Sequence, residues 1–495
     1  MEMNEPLRSS EEPGLRARVA KGIFWNAAEN WGIQAISFVV FLVLARLLGP
    51  ESFGLVAYGS LFIAFVQTFL DQGMADAIVQ RHQVDREHLD TAFWTSVGTG
   101  LIFTIIGFLG APLIAAFFNE ERLTSIVRWM SLTFLFSGFS TTQGAILRRH
   151  MAFKSLAIRS FFAVIAGGGA GVTMAFLGFG IWALVVQRLV YALVAVVTLW
   201  RVSDWRPGLS FSRKHFKDLF AFGGSLVVSN LLGFFSTRSD RLFVGYFLGP
   251  LLLGYYTIAS RILQMMIELF ANSFKSVTFS AFSRIQTDLD RTRRAFYKVT
   301  QMTSALAFPA FLLLVVVGSE LVCVLYGEKW LPSVVPMQIL MFAGVLHSVF
   351  FFNMTIILAA GKSGTRLVIA TVNSIANVVA YIIVARWGLV AVALAFVVRA
   401  YLVSPLPLWV VHRLIKFNVV QYFKQYASPV IACVAMIISV LIVKQFLTGH
   451  VGSTMLLGSE LLVGACVYFL TIRFTSPPLF GEIRDFIRSA FPQPA

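Results

Sequence analysis

Fourteen runs of mostly apolar residues, joined by short polar segments, leave this chain little choice of fold. A helix rising 1.5 Å per residue needs about twenty residues to cross the ~30 Å hydrocarbon core of a bilayer. The runs lie near 22–47, 54–78, 92–118, 124–147, 155–177, 180–200, 219–247, 252–275, 297–325, 334–360, 364–385, 388–411, 427–447 and 452–474. Glycine and proline pairs punctuate them, as in Leu48-Gly49-Pro50 and Leu248-Gly249-Pro250. In lipid every backbone amide must be bonded internally, which leaves helices or closed barrels. The ten-residue alternation of a barrel strand is absent. The expected fold is an all-α polytopic membrane protein with fourteen transmembrane helices.

Composition agrees. Apolar residues make up 57% of the chain and charged residues 13%, with a mean hydropathy of +0.78. A water-facing surface needs roughly 25% charge. The polar opening, MEMNEPLRSSEEPGLRARVAKG, has neither a short apolar core nor a small-residue cleavage site, so no cleaved signal peptide is expected. Cys323, Cys433 and Cys466 stand alone in apolar runs and read as small buried hydrophobes, with no disulfide or metal framework. The net charge of +16 is spread over many short loops rather than one patch, which argues against nucleic acid as a partner.

That spread has an order. Fourteen crossings place both termini on one side. With that side cytoplasmic, its loops hold 29 of the 40 Lys and Arg residues, and the opposite loops hold four: Arg122, Lys329, Arg386 and Lys444. Such an excess is what the positive-inside rule requires. Two polar stretches, Ser212–Phe222 (SRKHFKDLFAF) and the tail carrying Phe480, Ile483, Phe486, Ile487 and Phe491 on one face, read as amphipathic helices on the cytoplasmic leaflet.

The chain also repeats itself at an offset of 200 residues. LGPESFGLVAYGS (48–60) lies over LGPLLLGYYTIAS (248–260), matching Leu, Gly, Pro, Gly and Ser, and upstream Asn30 falls on Asn230. Six helices separate the two copies, so they run parallel about an axis along the membrane normal. The expected organisation is a cytoplasmic segment 1–21, an N-lobe 22–201 (spans 1–6), an interfacial linker 202–218 and a C-lobe 219–412 (spans 7–12). Spans 13–14 (413–474) and an amphipathic tail (475–495) follow. Two parallel six-helix lobes would face each other across a central cleft.

Several segments resemble one family: DQGMADAIVQR (71–81), AILRRHMAFKSLAIRS (145–160), GIWALVVQRLV (180–190), SDRLFVGYFLGPLLLGYYTIASRIL (239–263), FSAFSRIQ (279–286) and LAAGK (358–362). With the helix count, the chain is similar to the multidrug/oligosaccharidyl-lipid/polysaccharide flippase (MOP) superfamily, and within it to Wzx-type polysaccharide exporters. The resemblance implies a flippase for exopolysaccharide or O-antigen-type polymer synthesis, in a bacterial inner membrane. Its cargo would be an undecaprenyl-diphosphate-linked oligosaccharide, moved from the cytoplasmic to the periplasmic leaflet by alternating access. Its partners would be that lipid-linked oligosaccharide, membrane lipids, and the polymerase and chain-length regulator of the same pathway. Two other classes stand beside it: a membrane-embedded polymerase or ligase, for which the predicted periplasmic loops are short, and a small-molecule cation-coupled antiporter.

Charged groups at bilayer depth are functional candidates by default. In span seven Asn230, Arg238 and Arg241 fall at i, i+8 and i+11 on one helical face, with Asp240 beside Arg241. Span eight places Arg261 and Glu268 seven apart. Asp240 and Arg261 come out at the same depth, about 12–14 Å below the Gly249-Pro250 turn, so the two could pair, the structural alternative to a role in binding. Arg261, Arg241 and Arg238 are the expected diphosphate ligands, because a planar guanidinium stays charged and bonds phosphate oxygens in pairs. The resemblance supports Arg261, since related lipid-linked precursor flippases carry an arginine near the start of span eight. Those relatives also use arginine in span one, where this chain has Glu29 and Asn30. Glu29, Asp71, Asp240 and Glu268 would take a coupling proton or sodium ion, with Asn30 and Asn230 as polar neighbours. Arg128, Arg188 and Arg399 are further candidates, although Arg188 and Arg399 fall behind the cleft in this architecture and read more readily as structural. His347 could titrate but reads more readily as a satisfied polar contact. No phosphate-cradling GxxxxGK[ST] and no catalytic constellation occurs, so neither an enzyme nor a bound cofactor is expected.

Overall fold

The computed structural model describes residues 32–70, 74–81, 84–285 and 288–490, with 74, 218–226, 271–281, 283–285 and 486–490 described by backbone alone. All the regular structure in them is helical. The helices are α1 (Gly32–Leu47), α2 (Pro50–Leu70), α3 (Met74–Gln80), α4 (Arg86–Phe117), α5 (Leu123–Arg149), α6 (Phe153–Phe176) and α7 (Trp182–Val202). Then come α8 (Arg213–Ile285), α9 (Leu289–Val316), α10 (Gly318–Tyr326), α11 (Val334–Ala359), α12 (Ser363–Val384), α13 (Leu389–Val403) and α14 (Pro405–Ile415). The chain closes with α15 (Val419–Lys424), α16 (Ala427–Leu447), α17 (Ser453–Thr475) and α18 (Pro477–Ala490).

Among the described residues 11 helical segments are long and apolar enough to cross a membrane. One of them, Val227–Phe270, lies inside α8 and takes in most of two expected spans. The shorter α1 is outside that count, and so is α5, where hydroxyl residues and Gln143 dilute the apolar pattern. Side chains such as Leu109, Leu113, Leu402 and Leu462 are exposed along these helices, as lipid-facing residues must be.

Contacts divide the chain into two compact units. The first holds the described residues up to 47, with 66–112 and 124–227; the second holds 48–65, 113–123 and 228–495. In the first unit α6 and α7 form a hairpin. Gly167 and Gly171, one turn apart, face Gln187 so closely that a Cβ on either would lie 2.8 or 2.7 Å from its atoms. Small residues at this spacing let backbones approach where lipid supplies no hydrophobic drive. The linker after α7 is tied back to α4. Asp90 accepts from the Gly208 amide (2.9 Å) and the Ser210 hydroxyl (2.7 Å), while the Trp94 indole donates to the Gly208 carbonyl (2.7 Å).

The segment Ser212–Phe222 is not a separate interfacial helix. It forms the first turns of α8, with His215 stacked on His88 (3.9 Å between ring centroids) and 3.6 Å from Glu87. The tail is a helix as expected, and part of its apolar side packs on protein: Leu479 and Ile483 are buried in a cluster with Phe296, Phe308 and Tyr468, with Phe480 against it. The side chains of Phe486 and Ile487 and all of Phe491 lie outside the described residues. Lys298 adds a 2.9 Å ion pair with Glu482.

The second unit contains both copies of the repeated segment. At Gly249 the 73-residue α8 breaks, with φ 84° and ψ 178°, a backbone that glycine alone adopts without strain. Pro250 then opens the second half, where a missing amide costs nothing. At these turns the copies meet reciprocally. A Cβ on Gly54 would lie 1.7 Å from the Pro250 carbonyl oxygen, and one on Gly254 would lie 1.9 Å from that of Pro50. Tyr58 donates to the Gly245 carbonyl (2.8 Å), and Trp330 takes Phe53 and Tyr255 edge-on. These contacts draw 48–65 into the second unit.

Beside the turns, Arg122 bridges Glu120 (2.7 Å) and Glu51 (2.6 Å). Its hydrogen bond holds the Glu120 carboxyl below the ordinary 4.5. A lowered folded value means that the stabilisation is present above pH 4.5 and lost as pH falls through the folded value. Thermal unfolding of purified protein should therefore drop below pH 4.5 by more in the wild type than in Glu120→Gln. Parallel curves would remove the pair from the stability account.

Candidate substrate and coupling site

Several intramembrane polar residues of the second unit cluster where α8 meets α12, with Arg399 of α13 beside them. Asp240 is buried, and the Tyr256 hydroxyl, itself fully buried, donates to its Oδ2 at 3.0 Å. The other oxygen, Oδ1, has no hydrogen-bond partner. Arg241 reaches across to the Ser260 hydroxyl (3.1 Å), leaving its Nε unbonded. Arg238, two residues before Asp240, is half-buried. From α12, Ser374 meets Ser236 (2.5 Å) and Asn377 donates to the Ser236 carbonyl (2.8 Å). From α13, Arg399 donates to Asn373 (3.1 Å), with its Nε unbonded and Tyr381 close by.

The structural alternative, an Asp240–Arg261 ion pair, does not form. Equal depth on two helices fixes height but not rotation about the axis, and rotation brings Tyr256 rather than Arg261 to the carboxylate. Arg261 is half-buried on the second half of α8, and Asn230 is half-buried on the first. Glu268 is exposed. Glu29, Asn30 and Asp71 lie outside the described residues.

The structural candidates divide. Arg128 stays local, donating to the Phe108 carbonyl (3.3 Å) and lying over the Phe108 ring. Arg188 is half-buried. His347 packs on Phe351 and lines a small pocket with Ile267, Phe270 and Gly344. Arg399, by contrast, belongs to the Asp240 neighbourhood, as the one charged side chain of an apolar span can. The sequence makes it a further candidate but does not reveal its neighbours Tyr256 and Tyr381.

A carboxylate with a vacant oxygen, two guanidiniums with unbonded Nε–H groups and a third arginine make a charged, incompletely bonded centre in an apolar protein. Such a centre can hold an anion or exchange a proton. It offers no nucleophile–base pair.

The polysaccharide biosynthesis protein family matches residues 43–335, more than half of the chain. The chain belongs to that family. It is 25% identical to the teichuronic acid biosynthesis protein TuaB of Bacillus subtilis (strain 168) over 427 residues, 86% of this chain and 88% of the relative. It is 29% identical to the lipopolysaccharide biosynthesis protein WzxC of Escherichia coli (strain K12) over 68% of each chain. The succinoglycan biosynthesis transport protein ExoT of Rhizobium meliloti (strain 1021) is 25% identical over 98% of each. In fold, the chain is similar to the lipid II flippase MurJ in an inward closed conformation. The TM-score is 0.76 at 15% identity, covering 94% of this chain and all of MurJ. A MATE multidrug transporter of the MOP superfamily aligns with TM-score 0.59 and 19% identity over 77% of this chain and 96% of its own. This family member thus shares the fold of these transporters, and among its described residues 11 helical segments are long and apolar enough to cross a membrane. Within the family match fall the repeated turns and Arg238, Asp240, Arg241 and Arg261, whereas Arg399 lies beyond it.

Proposed function

We propose that this protein is a flippase that carries an undecaprenyl-diphosphate-linked oligosaccharide from the cytoplasmic to the periplasmic leaflet. The observation that carries the reading is a fold shared along nearly the whole chain with a lipid II flippase, combined with arginines at bilayer depth in α8. The names of its polysaccharide relatives support a sugar-bearing cargo. In this reading Arg261, Arg241 and Arg238 bind the diphosphate bidentately and the lipid tail stays in the bilayer. Asp240, with its vacant oxygen, takes the coupling proton or sodium ion. The polymerase and chain-length regulator of the pathway receive the product.

In this reading α8 crosses twice and α1 and α5 join the 11 apolar segments, so that the chain crosses fourteen times with both termini cytoplasmic. Cysteines at Glu51, Glu120 and Gly249 should then react with an impermeant reagent from the periplasm, and those at Arg149, Arg213 and Arg293 from the cytoplasm. Reversal at two or more positions overturns the orientation. The function itself is tested in vesicles loaded on one leaflet with an undecaprenyl-diphosphate oligosaccharide. Purified protein should carry the sugar to the other leaflet faster than lipid alone does, and equal rates overturn the reading.

A further inference from the structure

A second buried carboxylate lies outside the Asp240 group. Glu460 is the eighth residue of α17 and has no exposed surface. Neither Oε1 nor Oε2 makes a hydrogen bond. Around it are the helices α9, α10 and α16. From α16 comes Lys444, whose ammonium is 2.9 Å from Glu320 Oε2 on α10 and 3.2 Å from the Val316 carbonyl at the end of α9. Glu320 and Lys444 are the charged groups that act on Glu460. The other charges on these elements stand away from it. Asp290, Arg291, Arg293, Arg294 and Lys298 occupy the first turns of α9, at its opposite end. Arg473 sits in the last turn of α17, and Glu482, Arg484 and Asp485 follow it on α18.

The charge count is uneven: two carboxylates and one ammonium, which is spent on Glu320. An ionised carboxylate removed from water without a donor is so unfavourable that the group takes up a proton instead. A metal ion fits poorly. Hard cations gather several oxygen ligands, and here an ammonium already stands next to the only carboxylates. Among the described residues no cluster of three or more His, Cys, Asp or Glu side chains has metal-binding geometry.

We propose that Glu460 is a proton-binding site, protonated while Lys444 is held by Glu320 and ionised when the ammonium turns to it. The proton comes from water and bonds to a Glu460 oxygen; on release it returns to water as the ammonium takes its place. Lys444, whose side chain is 28% exposed, connects the site to the aqueous end of the helices. The three groups sit on α10, α16 and α17, so a shift of the last two against the first changes proton occupancy. This gives the C-terminal helices a titratable device of their own, which stands whether or not the protein is a flippase.

Infrared difference spectroscopy on the purified full chain tests it through the C=O stretch of a protonated carboxylic acid. The wild type at neutral pH should show one such band that Glu460→Gln removes, while the amide bands report that the variant is folded. Glu320→Gln should also remove it, because the freed ammonium then ionises Glu460. A wild-type spectrum unchanged by Glu460→Gln overturns the proposal, and persistence of the band in Glu320→Gln overturns the shared ammonium. Loss of the wild-type band on adding sodium at constant pH overturns it in favour of a cation site.

Discussion

Gly54→Ala should abolish polymer export while leaving the protein in the membrane. In the closed pair of turns the new methyl would sit 1.7 Å from the Pro250 carbonyl oxygen, and Gly254→Ala would place one 1.9 Å from that of Pro50. Neither neighbour is a side chain that can rotate aside, so the two turns must separate. Strain of ~1–3 kcal/mol, typical of overpacking, shifts the closed population by about fivefold to a hundredfold. Gly49→Ala is the control, since a Cβ there meets nothing within 4 Å. A cysteine at Leu253, fully buried beside the turn, reports the separation. It should resist a water-soluble maleimide in the wild type and in Gly49→Ala, and react in Gly54→Ala. Export at wild-type level with an unreactive cysteine in Gly54→Ala would show that the contact is not part of the cycle.

Arg261→Ala should likewise abolish export with normal abundance, and Arg261→Lys should restore only part, because an ammonium keeps the charge but loses the paired donors. Loss of a bidentate charged contact, about 1.5–3 kcal/mol per hydrogen bond, corresponds to a hundredfold or greater loss. Since Asp240 is bonded to Tyr256 and not to Arg261, Asp240→Ala should not rescue Arg261→Ala. Residues that do not touch combine additively. Complementation read alongside membrane protein level separates lost transport from lost protein. A fully active Arg261→Ala variant would move the diphosphate to Arg241 and Arg238. Rescue by the double substitution would restore the ion pair that the geometry denies.

What the sequence made legible was the one-dimensional part of the structure. Apolar runs fixed where helices lie, the Gly249-Pro250 pair marked the break in α8, and the 200-residue offset pointed at the segments that meet. The partners of buried polar groups were not legible in the same way. Asp240 finds Tyr256 sixteen residues on, across a break whose rotation no spacing rule supplies. Residues 212–222 read as interfacial because basic and aromatic side chains alternate there, but the same pattern suits a helix entry held by α4. The tail's apolar stripe was visible, while its cover, the face of α9, comes from nearly two hundred residues earlier. Glu460 was open to the rule that picked out Asp240, one acidic residue in an apolar span. Its surroundings were not legible, because α17 lies beyond both copies of the repeat and no spacing rule brings Lys444 or Glu320 to it.

The contact between the two Gly-Pro turns has the form of an isologous dimer interface, in which i touches j and j touches i. Each copy supplies the same glycine and receives it against the same carbonyl. A half-length chain could make this contact with a second copy of itself, needing only one sequence to evolve the fit. In a fused chain the two halves drift separately, yet this seam ties them together. A bulkier residue on either side meets a backbone carbonyl of the other copy, which no substitution there removes. Each glycine thus answers to a constraint set about two hundred positions away, where the copies still serve as each other's partner.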